Sequence, residues 1–152
     1  MTECVVCQEL SGTIEVPGGP LYSDDLVVTI HIPPLDGGDV FLGHLLVVPR
    51  RHVADFAGLT EEEAAGVGVQ VSRWSLALKQ SGAERVYVAT VGHSFDHLHV
   101  HLLPRWPQTP PEVPWHSVDD WPGARRATLV EASTFAEALR GASPALSDSA
   151  TP

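Results

Sequence analysis

Apolar and polar positions change period several times along the chain, and each period predicts an element. Residues 97–102 alternate strictly, His97, His99 and His101 interleaving with Leu98, Val100 and Leu102. In an extended strand successive side chains point to opposite faces, so the three imidazoles line one face and the aliphatics the other. Val40–Pro49 is a near-continuous apolar run, predicted as a fully buried central strand stopped by Pro49. Leu21–Ile32 is β-rich and broken at Asp24-Asp25, a strand or bent hairpin between the Gly18-Gly19-Pro20 turn and Pro33-Pro34. Arg85–Val91 is a further strand, which Gly92-His93-Ser94-Phe95-Asp96 turns into the histidine strand. Thr60-Glu61-Glu62-Glu63 reads as a capping box, and Val67, Val71, Trp74 and Leu78 then fall on one stripe at helical spacing. Ser81-Gly82 closes that stretch, so residues 60–80 are predicted as the main helix, with Trp74 in the core. A short helix follows at 129–140 and a flexible tail at 143–152.

These elements predict an α+β domain over residues 1–142: an antiparallel sheet of about five strands, one long helix and a short C-terminal helix. At 152 residues, 43% apolar and 18% charged, the chain can bury a proper core. The net charge of −10 argues against general nucleic-acid binding, which needs basic surface. A small phosphate substrate is still accommodated, because Arg50, Arg51 and Arg105 end two apolar strands and offer local positive charge. No apolar run approaches the ~20 residues that span a bilayer. Residues 1–20 show no basic segment followed by an apolar one, so the expectation is a cytoplasmic protein without a membrane partner.

The candidate chemistry lies in the histidines and the two cysteines. Burying three imidazoles costs desolvation unless each finds a partner, which a purely structural strand does not need. Such a row suits either a phosphate-sized ligand or a metal. Cys4 and Cys7, two residues apart, read as metal ligands or as a redox couple. A thioredoxin-like role wants the pair after a strand and opening a helix, which residues 1–8 do not offer on sequence grounds. Zinc would need two further ligands. His44 alone reads as a packed, hydrogen-bonded residue. The Pro/Trp-rich stretch from Trp106 to Pro122 is expected on the surface, with Trp106, Trp115 and Trp121 walling a pocket or closing a dimer.

His97-Leu98-His99-Val100-His101-Leu102-Leu103 resembles the signature of the histidine triad (HIT) family, His-φ-His-φ-His-φ-φ with φ apolar, and fills every position of it. Gly43-His44-Leu45-Leu46-Val47-Val48-Pro49-Arg50-Arg51-His52 resembles the family's second segment, so the resemblance covers roughly residues 3–106. It implies the HIT fold, usually a homodimer, and a nucleotide hydrolase or transferase in which the middle histidine attacks the α-phosphorus. On that basis His99 is the expected nucleophile, His101 a donor to phosphate oxygens, and His97 an orienting residue or zinc ligand. Gly92 and Ser94 match the family's phosphate-contacting turn, while His93 stands where Gln is usual and would take its role or act as general acid. His44, Arg105 and His31 complete the expected substrate contacts, although an Asp that holds ribose hydroxyls in relatives is replaced by His31 or Ile32. A zinc-bearing subset of the family implies a structural Zn²⁺ on Cys4, Cys7, His52 and His97. The expected substrate is a nucleoside phosphoramidate, dinucleoside polyphosphate or related nucleotide ester. The rival readings are a nucleotidyltransferase or phosphorylase, and a catalytically weak zinc-containing nucleotide-binding module. The related uridylyltransferases carry Gln at the position of His101, which counts against that branch.

Overall fold

A computed structural model describes residues 4–145; of the expected tail, residues 146–152 lie outside the described residues. The core of the molecule is β4 (Leu45–Pro49), an apolar strand with a neighbour on each side and a cover on each face. It pairs antiparallel with β2 (Val27–His31) and with β6 (Val100–Arg105). The edges are β1 (Tyr22–Ser23), hairpinned to β2, and β5 (Arg85–Ala89), paired with β6. All five strands are antiparallel, in the order β1-β2-β4-β6-β5.

Side-chain parity sorts β4 between two cores. Leu45 and Val47 join Val27, Val100 and Leu102 under α2 (Glu61–Gln80), whose Val67, Trp74 and Leu78 are buried against them. Leu46 and Val48 join Val28 and Ile30 on the other face, under Val6 of the short helix α1 (Val5–Ser11). Helix α2 starts as expected: Thr60 Oγ1 accepts from the Glu63 backbone N–H, and the Glu63 carboxylate accepts from that of Thr60. A second capping box, Thr128 with Glu131, starts α3 (Leu129–Gly141).

Three expectations need correction. The apolar run at 40–49 is not one strand. Val40–Phe41 forms β3, which pairs with β7 (Arg126–Ala127) in a separate two-stranded sheet. The chain breaks at Gly43, whose φ of +85° suits glycine, and a Cβ there would sit 3.0 Å from both Pro104 and Trp106. Second, Trp106 is not a surface wall: it is 3% exposed, donates its indole N–H to the Leu42 carbonyl and packs edge-on against Phe135. Trp115 rests on Tyr87, and neither Trp115 nor Trp121 lines the histidine cleft. Third, the cysteine pair does open a helix, with Cys4 as the N-cap of α1 and Cys7 in its first turn.

Candidate functional site

The triad enters the sheet from its end. His101 lies within β6, while His97 and His99 precede its first residue. Directly paired residues share a face, so His101, opposite Leu46, faces α1. His99 Nδ1 donates to the His97 carbonyl at 2.7 Å, which places a proton on Nδ1. The rings of His99 and His101 meet edge to face with centroids 4.9 Å apart.

His44 completes the row from the neighbouring strand's start, with Nε2 2.9 Å from His101 Nδ1. Burial drives the His101 imidazole down to about 4, helped by the nearby His99 ring. His44 falls to about 3 from burial first and then from the surrounding imidazoles. Both are therefore neutral near pH 7, and one of the pair donates to the other. Because an unfolded histidine protonates near 6.5, these two contribute a loss of stability as pH falls from 6.5 toward about 3. In His44→Ala we expect part of that acid sensitivity to disappear. The variant should also lose about 1–3 kcal/mol at neutral pH, because His101 Nδ1 is left without its partner. Urea unfolding across pH 3.5–7.5 measures both effects. Parallel wild-type and variant profiles would contradict the pairing.

Two expected substrate contacts are not brought to this row. His31 pairs with Leu45 and so lies on the α2 face, opposite to His101. It is fully buried, donating Nδ1–H to the Ile32 carbonyl and accepting from the Gly43 N–H at 2.9 Å through Nε2. Ile32, its neighbour, is the residue that reaches the cleft. Arg105 turns away as well, donating to the carbonyls of Val113 and Pro110 and anchoring the loop after Trp106. The expected basic cluster dissolves in the same way. Arg50 is bonded to Ser23 and to the Asp24 carbonyl. Arg51 makes a two-pronged pair with Glu63 that holds this carboxyl down to about 2. Gly92, His93 and Ser94 stay exposed on the turn leading into the row, Gly92 with φ +62°.

His97 points the other way along the row. Its Nε2–H donates to the Pro49 carbonyl at 2.8 Å, so Nδ1 presents a lone pair to the cysteines. His97 Nδ1 lies 3.7 Å from Cys4 Sγ and 3.4 Å from Cys7 Sγ, and His52 Nδ1 lies 3.4 Å from Cys7 Sγ. All four ligand atoms fall within 4.8 Å of one another. A tetrahedral zinc with ordinary Zn–S and Zn–N bonds puts its sulfur and nitrogen ligands about 3.6 Å apart. The cluster matches that spacing. Burial holds His97 below the ordinary histidine range, and burial together with Cys4 raises the Cys7 thiol.

Between α1 and the row lies a cleft of about 70 Å³, lined by His99 and His101 and by Val6, Ile32, Leu46 and Phe95. Among the cleft residues that sequence reasoning missed is an acid, Glu9, which is 6% exposed and raised to about 7 by burial. The available signal was an acid at i+4 from Val5, on the apolar face of a helix that was not itself predicted.

The HIT domain family matches residues 15–108, well over half of the chain. The chain belongs to the HIT family. Among its relatives is an uncharacterized HIT-like protein of Saccharolobus solfataricus, 31% identical over 113 residues that span 70% of this chain and 77% of that one. The adenosine 5′-monophosphoramidase of Schizosaccharomyces pombe is 28% identical over 107 residues, 67% of this chain and 74% of that enzyme. In fold, the HIT chain superposes on a Zn-bound histidine triad family protein from Mycobacterium smegmatis with a TM-score of 0.67 at 22% identity, covering 92% of this chain and 94% of that one. The expected α+β fold, with its five-stranded antiparallel sheet, long helix and C-terminal helix, is therefore the observed one. Among the described residues no helix is long and apolar enough to cross a membrane.

Proposed function

We propose that this HIT protein hydrolyses a nucleotide ester at the α-phosphorus, with nucleoside phosphoramidates, dinucleoside polyphosphates and related esters as the substrate class. One observation carries the reading: the bond from His99 Nδ1 to the His97 carbonyl orients a ring that lines the cleft and keeps Nε2 out of that bond as the attacking nitrogen. In the first step Nε2 attacks phosphorus, the P–N bond forms, and the bond to the leaving group breaks with its electron pair. The leaving group takes up a proton. The imidazole becomes cationic in the adduct, and the bond from Nδ1–H to the carbonyl then strengthens. In the second step water attacks phosphorus, the P–N bond breaks, and the nucleoside monophosphate leaves with His99 restored. His44 donates to His101 Nδ1 in this scheme, which leaves His101 Nε2–H to serve the phosphate oxygens. Ser94, Gly92 and His93 form the turn that would close on the phosphate, with His93 as the candidate proton donor to the leaving group. The monophosphoramidase activity named for the Schizosaccharomyces pombe relative supports the substrate class. The test is a screen of nucleoside phosphoramidates, dinucleoside polyphosphates and adenylyl sulfate, with and without phosphate or sugar-phosphate acceptors, and with intact-mass detection of a nucleotidylated chain. Hydrolysis with an adduct supports the reading; product formed only with an acceptor would make the protein a transferase or phosphorylase.

Zinc belongs to the same proposal. Cys4, Cys7, His52 and His97 would hold it with four protein ligands, and it would supply a cross-link between α1 and the start of the triad. A closed tetrahedron leaves no position for an activated water, so its role is structural.

The protein acts as a cytoplasmic homodimer in this reading. Val69 and Leu76, seven residues apart on one face of α2, are 43% and 38% exposed, and Val88 on the edge strand β5 is 52% exposed. Pairing through this helix face and sheet edge would cover them. Light scattering at micromolar concentration should give twice the chain mass of 16.3 kDa. A monomer would contradict it.

A further inference from the structure

Glu9 is the polar group of the cleft that the histidine chemistry leaves unused. Its residue is 94% buried, being 6% exposed, and its Oε2 lies within the protein without a hydrogen-bond partner. The same side chain lines the cleft in front of His99 and His101, whose remaining lining is apolar. A buried acceptor left unpaired costs about 1–3 kcal/mol, a cost that is removed when a ligand brings the donor. Among the described residues that line this cleft, Glu9 and the two histidines are the polar side chains. With phosphorus at His99, the part of the ester lying toward α1 therefore meets aliphatic walls and one carboxyl.

A sugar ring has that chemistry, with C–H surfaces and hydroxyl donors at its rim. An ammonium group fits less well, because Val6, Ile32 and Leu46 would strip its water without replacing it. We infer that Glu9 is a specificity residue, its carboxyl accepting hydrogen bonds from the sugar hydroxyls of the ester whose phosphorus faces His99. The inference rests on the reading of His99 as the reacting group. It gives α1 a second duty, since the helix that carries Cys7 to the cysteine–histidine cluster also carries Glu9 into the cleft.

The experiment compares adenosine 5′-phosphoramidate with its 2′,3′-dideoxy analogue on the full chain. Wild type should favour the ribose substrate in kcat/KM by about 10–100-fold, the range expected for hydroxyls bonded to a buried carboxylate. In Glu9→Leu that ratio should fall to within about twofold of one, and in the milder Glu9→Gln it should lie between. An unchanged ratio, with both substrates slowed alike, would overturn the inference and leave Glu9 a structural residue. So would a dependence on Glu9 that follows the leaving amine instead of the sugar. A parallel calorimetric arm measures adenosine 5′-monophosphate against its 2′,3′-dideoxy form, with wild type and Glu9→Leu. If neither phosphoramidate is turned over, phosphoramidates drop out of the proposed substrate class, and this arm alone decides Glu9. A ribose preference lost in Glu9→Leu upholds it, and equal affinities overturn it.

Discussion

Replacing His99 by alanine or asparagine should lower turnover by about 10⁴-fold or more and abolish the nucleotidylated mass adduct. An enzyme that loses its nucleophile keeps only the rate enhancement of its binding groups, hence the size of the effect. Asparagine preserves much of the side chain's polarity, so a loss in both variants isolates the missing ring nitrogen. The His99 side chain donates to the His97 carbonyl, so melting must be measured beside activity. A variant that folds but does not turn over supports the assignment. His101→Ala should behave differently, slowing the reaction while an adduct still forms, because His99 Nε2 keeps its lone pair. Full activity in either His99 variant would sink the nucleophile assignment.

Removing the metal should have the second largest effect, on stability first. Cys7→Ser, or treatment of the wild type with a strong chelator, should cost at least about 3 kcal/mol, since binding free energy to a preformed site is folding free energy. In a domain of this size that corresponds to a melting temperature lower by about 6–12 °C. Activity should fall only as the protein loosens, because the four candidate ligands would close a tetrahedron around the metal. The pH dependence has a definite sign. Cys7 sits above its ordinary value of 9.0, so binding zinc releases protons and affinity weakens as pH drops. Protein purified without chelators should carry close to one zinc per chain by elemental analysis. Less than about a tenth of an equivalent would reject the site, and activity lost on chelation with unchanged melting would reject its structural role.

The sequence by itself determined whatever depends on local period. Alternation over 97–102 puts three imidazoles on one side, since adjacent strand residues must face opposite ways. The Thr60–Glu63 capping box and the stripe Val67, Trp74, Leu78 determined α2 to within a residue, because both rest on contacts one or two turns apart. Even the four members of the cysteine–histidine cluster were legible, through the resemblance of two motifs. Tertiary structure decided what each face meets. His31 and Ile32 differ by one position, yet the β2–β4 register sends His31 into the core under α2 and leaves Ile32 at the cleft. Arg50, Arg51 and Arg105 looked like a phosphate cluster until their partners, 7 to 27 residues away for Arg50 and Arg51 and on the following loop for Arg105, were in place. Gly43 broke an apolar run that no local rule would divide, because Pro104 and Trp106 leave no room for a Cβ there. Glu9 became a cleft residue only when α1 came to lie across a strand row some ninety positions later in the chain. Periodicity fixes the side of an element on which a residue stands; register and packing, set by residues distant in sequence, fix what stands opposite.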